Sequence, residues 1–564
     1  MDDVDAVQAQ IARNMLTSRD WVTARLDGVA YLEKAPLIYW MMAVSYQIFG
    51  VHDWAARLPL AFAAVLLCWA VCSFAGWAFG EEGGLYAGLA LATSAGLFLF
   101  TRILIPDATL TLVITGAIWA WLSLLEPEQD RPLLWSAILG VCLGTGLLLK
   151  GLIGAVFPVM AALAYMALTA QLFSLASWRR LHLGIAGGIA LAIAVPWHVL
   201  AIRRNPPYFA FSMHSRPGEY HGFFWFYFIN EHVLRFLNLR YPRDYNTVPR
   251  LLFWLLNLVW LFPWSIFLLC VPRLSPRPKS RAERTRLMAV CWIGAVMLFF
   301  TFSTTQEYYS MPIYPALTLL VGSAISAGGR RIHVATSALF GVSALLCAAL
   351  TVLLVRVWRL PVPGNISAAL TQHSELYTLS LGHIRDLTLS AFAYLKLPLA
   401  LAALAFGGIA VGIGRWRGDV KKVALVTAAG MIIFFQAARI ALIRFDSYLG
   451  SYPLAQSLRQ SPPGQLIEAD SYYAFSSVFF YAGRTALLLN GRNNNLEYGS
   501  RAPGAPNPFI DDREFVSLWI GPGRCYLLAY GTEIPHLEHL VGRAKLSVVA
   551  ENAGNYLLTN YALP

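Results

Sequence analysis

Long continuous apolar runs dominate this chain. Residues 56–79, 84–103, 107–125, 133–149, 152–170, 183–202, 251–271, 287–302, 311–327, 334–355, 397–414 and 423–441 are nearly free of charge. At ~1.5 Å rise per residue, most can cross a hydrocarbon core of ~30 Å as a helix. The runs lack the two-residue alternation of a membrane β-barrel, which excludes that architecture. The pattern predicts an all-α polytopic membrane bundle of about twelve spans over residues 56–441. Ahead of it, residues 1–55 are mixed in character. Residues 6–18 have helical periodicity, and LIYWMMAVSYQIF at 37–49 is too short for a span and reads as a helix along the interface. Past Phe445 the apolar runs give way to QLIEAD, ALLLN, CYLLAY and NYLLTN, separated by Gly, Pro and Asn, with a helical candidate at 512–519. Residues 442–564 are therefore expected to form a small α/β domain with its own core.

Composition agrees with the pattern. Of 564 residues, 57% are hydrophobic and 13% charged, against about a quarter charged in soluble domains. The net charge of +12 is a matter of topology and not a nucleic-acid footprint. Arg179 and Arg180, the six basic residues of 273–286, Arg330 and Arg331, and Arg415, Arg417, Lys421 and Lys422 occupy four loops. With spans alternating in direction, all four fall on one side, which the positive-inside rule makes cytoplasmic. Both termini and the loops 203–250 and 356–396 then lie outside. An external N-terminus has no upstream element to carry it across, so a native first helix is expected to precede Met1. Six of the seven cysteines lie in spans and Cys525 is alone in the tail, so neither a disulfide framework nor a CxxC metal site is visible. The stretch GIAGG at 184–188 reads as small-residue packing between spans.

Charged residues at the rim of such a bundle are costly to place and point to function. In DDVD at 2–5, Asp3 and Asp5 are either a general base and its like-charged neighbour or caps for the 6–18 helix. Asp107 follows Pro106 at the mouth of a span, where a helix N-terminus keeps a carboxylate ionised. Arg102 precedes it, able to pair with it or to hold a phosphate. Lys34 beside Glu33 in YLEKAP is a point charge suited to a phosphate, or half of an exposed ion pair. Lys150 before Gly151, in a tight turn between spans, suits an anionic headgroup or snorkels. Within FINEHVLRFLN, His232 and Arg235 share a helical face next to Glu231. His214 and His221 with a carboxylate could hold a metal, although their spacing fits no standard motif. Glu307, Tyr308 and Tyr309 in TTQEYYSMP line a cavity or form an interfacial tyrosine belt.

The order of these signals is specific. DDVD, a helix ending in ARNML, YLEKAP, the aspartate of IPD, KG between spans, EHVLRF, and Tyr-Tyr before a proline-rich span entry recur together elsewhere. The chain resembles the bacterial relatives of protein O-mannosyltransferases and lipid A aminoarabinose transferases, membrane glycosyltransferases of the C-type fold. The resemblance implies that Asp3, Asp5 and Asp107 are catalytic. It implies a donor phosphate held by Lys34 with Lys150, Arg235 or Arg102, and a cavity with Glu33, Glu231, His232, Glu307, Tyr308 and Tyr309. The chain departs from the family in having DDVD for the usual Asp-Glu. At 305–309, TQEYY replaces Lys-Leu-Pro-Tyr-Tyr. The family has a span before its first external loop, which again implies a missing first helix here.

The expected function is transfer of a sugar from a polyprenyl-phosphate donor to an extracytoplasmic acceptor, whether lipid A, protein or glycan. The expected site is a bacterial inner membrane, with the active site and C-terminal domain on the periplasmic side. The sequence calls for no cofactor or nucleotide and leaves a divalent cation open. The rival reading is a transporter or lipid flippase, which would place its charges near the bilayer midplane and show internal repeats.

Overall fold

The computed structural model describes residues 1–243, 247–362 and 387–563. Most of the predicted external loop 356–396 thus lies outside the described residues. Among those described, nine helices are long and apolar enough to cross a membrane, or ten if the bent pair Arg250–Trp260 and Trp264–Cys270 is one span. The count falls short of twelve at two further places. The 152–170 run forms the shorter helix Ile153–Leu168. The 84–103 run splits into Glu81–Ala92 and Ala95–Phe100.

The break and the bend meet each other. The pair Arg250–Trp260 and Trp264–Cys270 turns by 99° around Pro263, which has no N–H to continue a helix. Across from it, the backbone N–H of Ala95 donates to the Phe262 carbonyl at 3.2 Å. The Trp264 indole donates to the Thr93 hydroxyl at 3.0 Å. Backbone groups freed at one interruption are thereby satisfied at the other, as irregular backbone inside a membrane bundle requires. The apolar window of Glu307–Ala327 is 89% buried and that of Arg330–Trp358 only 11%. The first is therefore the centre of the bundle and the second a peripheral, lipid-facing helix.

Close helix contact comes from glycines other than those expected. Gly184, Gly187 and Gly188 face open space. Gly140 and Gly144, four apart on Pro132–Lys150, instead meet the helix Leu183–Arg204. A Cβ on them would lie 2.5 Å from the Ala186 carbonyl oxygen and 2.9 Å from that of Ala190. This is the small-xxx-small spacing that lets two backbones touch. GIAGG supplies Ala186 to that contact, and its glycines contribute nothing to it.

The C-terminal residues fold into a six-stranded sheet ordered β5-β4-β3-β6-β8-β7. Its strands are β3 (Gln465–Ala469), β4 (Leu487–Leu489), β5 (Phe509–Ile510), β6 (Cys525–Tyr530), β7 (Ser547–Asn552) and β8 (Asn555–Thr559). The first four pair in parallel, and β8 and β7 add antiparallel beside β6. The four expected strands and the Asp512–Ile520 helix are present. The short β5 and the half-exposed β7 carry too little apolar pattern to be read in advance.

This sheet domain is docked on the N-terminal segment. Asp2 caps the helix Asp3–Ser18 by accepting from the Asp5 N–H. Asp3 accepts from the Ser477 N–H at 2.7 Å, and Arg13 donates to the Phe480 carbonyl at 2.9 Å. In the hairpin of β1 (Arg25–Leu26) and β2 (Val29–Ala30), Asp27 accepts from the Ala486 N–H at 3.3 Å. Burial pushes the Asp27 carboxyl up to about 7 and that of Asp3 up to about 6, against opposing hydrogen bonds from Ala486 and Ser477. An acid whose pKa is raised by folding favours the folded state when protonated. Its contribution is complete below the ordinary value of ~3.9 and is lost as pH rises through the folded value. The docked domain should therefore melt at a higher temperature at pH 5.5 than at pH 7.5. Asp27→Asn should shrink that difference in thermal unfolding of the purified protein; an unchanged difference would exclude Asp27 as its source.

Candidate active site

Five separate segments converge on a cavity of about 370 Å³. Its polar lining includes Glu33, Lys34, Asp107, Lys150, Glu231, His232, Arg235, Tyr308 and Tyr309, with Tyr227, Ser303 and Thr304, and the remaining wall is largely apolar. Glu33 and Lys34 follow the β1–β2 hairpin, whose turn residues Asp27 and Gly28 both have positive φ, as a tight hairpin turn demands. Pro36 then precedes the helix Leu37–Phe49, whose inner face buries Tyr39, Met42 and Tyr46. Asp107 opens the helix Asp107–Leu124 and Lys150 closes Pro132–Lys150. Helix termini thus deliver both charges to one level.

Gly151 explains its own identity. It has φ +65°, and a Cβ there would fall 2.2 Å from His232 Nε2. That nitrogen accepts from the Leu152 N–H at 3.0 Å, while Nδ1 faces the Tyr227 carbonyl at 2.5 Å. The ring therefore carries its proton on Nδ1. Burial pulls its pKa below the ordinary histidine value, against the Tyr227 hydrogen bond. His232 is a neutral bracket that joins the KG turn to the π-helical stretch Trp225–Leu234.

The charges form a chain of pairs. Glu33 Oε1 lies 2.5 Å from Lys34 Nζ and 3.7 Å from Arg235. Its other oxygen accepts from Tyr31 at 2.8 Å and from the Asn495 amide. Burial pushes the Glu33 carboxyl up, but Lys34, Arg240 and Arg235 outweigh it and hold the group well below the usual carboxylate range. For Lys34, burial pulls down and Glu33 lifts, and the net shift is upward. Arg235 donates to Glu231 at 2.7 Å and to the Tyr309 hydroxyl at 2.9 Å. Lys150 lies 2.6 Å from Asp107 Oδ1 and faces the rings of Tyr308 and Tyr309 at 5.3 and 4.9 Å. Asp107 Oδ2 is buried with no hydrogen-bond partner among the described residues. Buried carboxylate oxygens are rarely left so. Beyond these groups, Val156, Phe157, Phe236, Phe299 and Phe300 line the cavity.

Four of the expected site residues lie outside this lining. Asp3 is engaged by the sheet domain. Asp5, 2% exposed, pairs with Arg57 at 2.5 Å and accepts from the Leu104 N–H at 2.7 Å. Burial pushes its carboxyl up to about 6, with Asp2 adding to the rise and Arg57 opposing it. Asp5 therefore holds the loop that ends in Asp107. Arg102 stacks over Phe98 at 5.0 Å, and its carbonyl accepts from Arg57. Glu307 is buried, its carbonyl accepting from Ser310 at 3.0 Å. Thr305 donates to the Val248 carbonyl at 2.5 Å and so ties down the neighbouring loop. Among the described residues, no three His, Cys, Asp or Glu side chains gather as metal ligands, His214 and His221 included.

Sequence reasoning missed Arg240 and Asn495. The Arg240 side chain is wholly buried and bonds to Glu231, to the Pro242 carbonyl and to Asn495. In LRYPRD it looks like any loop arginine. Arg240→Met keeps much of the volume but strips a cation from two buried carboxylates. Breaking such a pair costs about 3–5 kcal/mol. A large fall in melting temperature is expected, and a fall no greater than that of an exposed Arg→Met control would refute the assignment.

The dolichyl-phosphate-mannose-protein mannosyltransferase family model matches residues 33–199. The undecaprenyl phosphate-alpha-4-amino-4-deoxy-L-arabinose arabinosyl transferase of Erwinia tasmaniensis is 24% identical, over 92% of this chain and 86% of that protein. The Pseudomonas aeruginosa transferase of the same name is 26% identical, over 91% and 85%. With the Pectobacterium atrosepticum protein the match is 26%, confined to 56% of this chain and 54% of that one. The crystal structure of ArnT from Cupriavidus metallidurans bound to undecaprenyl phosphate superposes with a TM-score of 0.77 at 22% identity, covering 99% of this chain and 94% of that one. The fold is that of the C-type glycosyltransferases. By fold and by similarity over nearly its whole length, the chain is a membrane glycosyltransferase resembling the aminoarabinose transferase and protein mannosyltransferase superfamily.

Proposed function

We propose that the cavity binds a polyprenyl phosphate-linked sugar and passes the sugar to an acceptor on the extracytoplasmic face of a bacterial inner membrane. One observation carries this reading: Lys34, Lys150 and Arg235 stand at the polar edge of a cavity whose other wall is apolar. Each of these cations is shared with a carboxylate. Such an edge suits a phosphate at the head of an isoprenoid tail. The names of the relatives point to an undecaprenyl phosphate aminoarabinose as the first donor to test. Lipid A, a protein or a glycan is the acceptor.

In this reading Lys34 and Arg235 take the donor phosphate. The free oxygen of Asp107 accepts a hydrogen bond from the acceptor hydroxyl, with Lys150 fixing the carboxylate. The acceptor oxygen gives its proton to Asp107 Oδ2 and attacks the anomeric carbon as the bond from that carbon to the phosphate oxygen breaks. Polyprenyl phosphate leaves with the electron pair, and its charge is met by cations already in place. Asp107 is thus the acid–base group, and Asp5 positions it through Leu104. Orientation follows from charge. Asp107–Leu124 carries Asp107 at one end, and Glu126 beyond the other end pairs with Arg284 at 2.8 Å, in the basic segment 273–286. That basic end is the cytoplasmic one by the positive-inside rule.

Asp107→Asn should lower turnover by about 10²–10⁴-fold, the usual yield of a positioned acid or base, with donor KM little changed. Lys34→Ala should instead weaken donor binding. Transfer from purified donor in proteoliposomes checks both, and near-normal turnover of Asp107→Asn would remove its role. Since side chains supply the compensating charge, transfer is expected to persist in EDTA. In intact cells, a membrane-impermeant maleimide should label a thiol placed at Val548 in the sheet domain and not one at Leu274. The reverse labelling would overturn the orientation.

A further inference from the structure

The helix Asn494–Ser500 belongs to the C-terminal sheet domain but touches both segments that build the cavity's charged edge. Its Gly499 lies so close to β2 that a Cβ would fall 1.9 Å from the Ala30 carbonyl oxygen, three residues before Glu33. Tyr498 accepts from the His221 N–H at 2.9 Å and donates to the Gly222 carbonyl at 3.0 Å. Glu497 accepts from the Tyr241 hydroxyl at 3.0 Å. Between these anchors stands Asn495, 4% exposed. Its amide nitrogen donates to Glu33 Oε2, and its carbonyl oxygen accepts from Arg240 Nη2 at 2.5 Å.

A side-chain amide can give a hydrogen to an anion and take one from a cation across a single plane. With Tyr31 also on Oε2, Glu33 is held so that Oε1 faces Lys34. Arg240 is likewise held so that its Nε meets Glu231, the partner of Arg235. One side chain from the sheet domain thus fixes both carboxylates that orient the phosphate-facing cations.

We propose that Asn495 is a positioning residue of the donor-phosphate site, so that the C-terminal domain completes the membrane-embedded site. The proposal rests on the reading of the cavity as the donor site. Asn495 acts through Glu33 and Arg240 and does not touch substrate.

The test measures binding of undecaprenyl phosphate, without sugar, to the purified full chain in nanodiscs, together with transfer kinetics. Asn495→Asp is nearly isosteric but sets an acceptor against Glu33. Loss of a hydrogen bond to a charged group predicts at least about tenfold weaker binding and a matching rise in donor KM. Acceptor KM should stay within about twofold. In a Glu33→Gln background the same change should cost less than about threefold, because the group through which it acts has lost its charge. Tyr498→Phe loosens the same helix without touching Asn495's partners. It should lower the melting temperature and leave undecaprenyl phosphate affinity within about twofold.

If Asn495→Asp fails to fold, Asn495→Ser, too short to span both partners, carries the same measurement. Wild-type affinity in the Asp variant, or an equal loss with and without the Glu33 charge, overturns the proposal. Undecaprenyl phosphate binding that survives Lys34→Ala defeats the donor-site reading instead. Loss in Lys34→Ala with none in Asn495→Asp defeats only the role of Asn495.

Discussion

Charge at the rim of an apolar bundle is stable only when it is paired, and the charged cavity of this chain is organised by that constraint. A lone ammonium or carboxylate there would lose hydration worth several kcal/mol. Lys34, Arg235 and Lys150 are retained because Glu33, Glu231 and Asp107 lie within 2.5 to 2.7 Å of them. The pairs in turn dictate the surroundings. Glu33 and Glu231 each need further donors, which Tyr31, Arg240 and Asn495 supply. These donors come from the hairpin, the 203–250 loop and the sheet domain, so satisfying the charges draws three parts of the chain to one place. A paired site also answers a problem of function. Cations held by carboxylates are already in position, and in the proposed function they turn part of their charge to the donor phosphate.

The same constraint decided which parts of the architecture could be read in advance. Uniform apolar runs announce helices, and they announced nine of these spans with ends near those found. The interruptions at Thr93–Ser94 and Pro263 went unread because each is satisfied by the other across about 170 residues of sequence separation. Hydropathy along a window carries no trace of such a partner. The glycines show a related limit. GIAGG is the denser cluster, but a helix packs by spacing, and the four-residue interval from Gly140 to Gly144 is the one that meets a neighbouring backbone.

The site was legible where its residues sit beside punctuation. YLEKAP, IPD, KG, EHVLR and EYY each join a charge or a tyrosine pair to a proline, a glycine or a helix end, and all five segments reach the cavity. DDVD is different. Its three carboxylates divide their work: Asp2 caps a helix, Asp3 pins the sheet domain, and Asp5 holds Arg57 and Leu104. A cluster of like charges in sequence resembles a reacting group because nothing in the sequence shows where the opposing donors come from. Arg240 and Asn495 were hidden for the converse reason. In RYP and NGRNNN they stand among residues common in turns, and their meaning lies wholly in partners far along the chain.

Asp5 and Asp107 are two buried carboxylates that the bundle treats differently. Both are nearly inaccessible, at 2% and 1% exposure, so burial alone does not distinguish them. Hydrogen-bond saturation does. Asp5 has a guanidinium on one oxygen and a backbone N–H on the other, and it does not line the cavity. Asp107 has Lys150 on one oxygen and an unmet second oxygen, in a residue that lines the cavity. A buried oxygen without a donor is unfavourable in the resting protein. In the proposed reaction that deficit falls when an acceptor hydroxyl supplies the missing hydrogen. Asp5 supports this arrangement from behind, through the Leu104 amide three residues from Asp107. The bonded carboxylate keeps the loop in place, and the incompletely bonded one leaves an acceptor at the cavity, on which the proposed acid–base role rests.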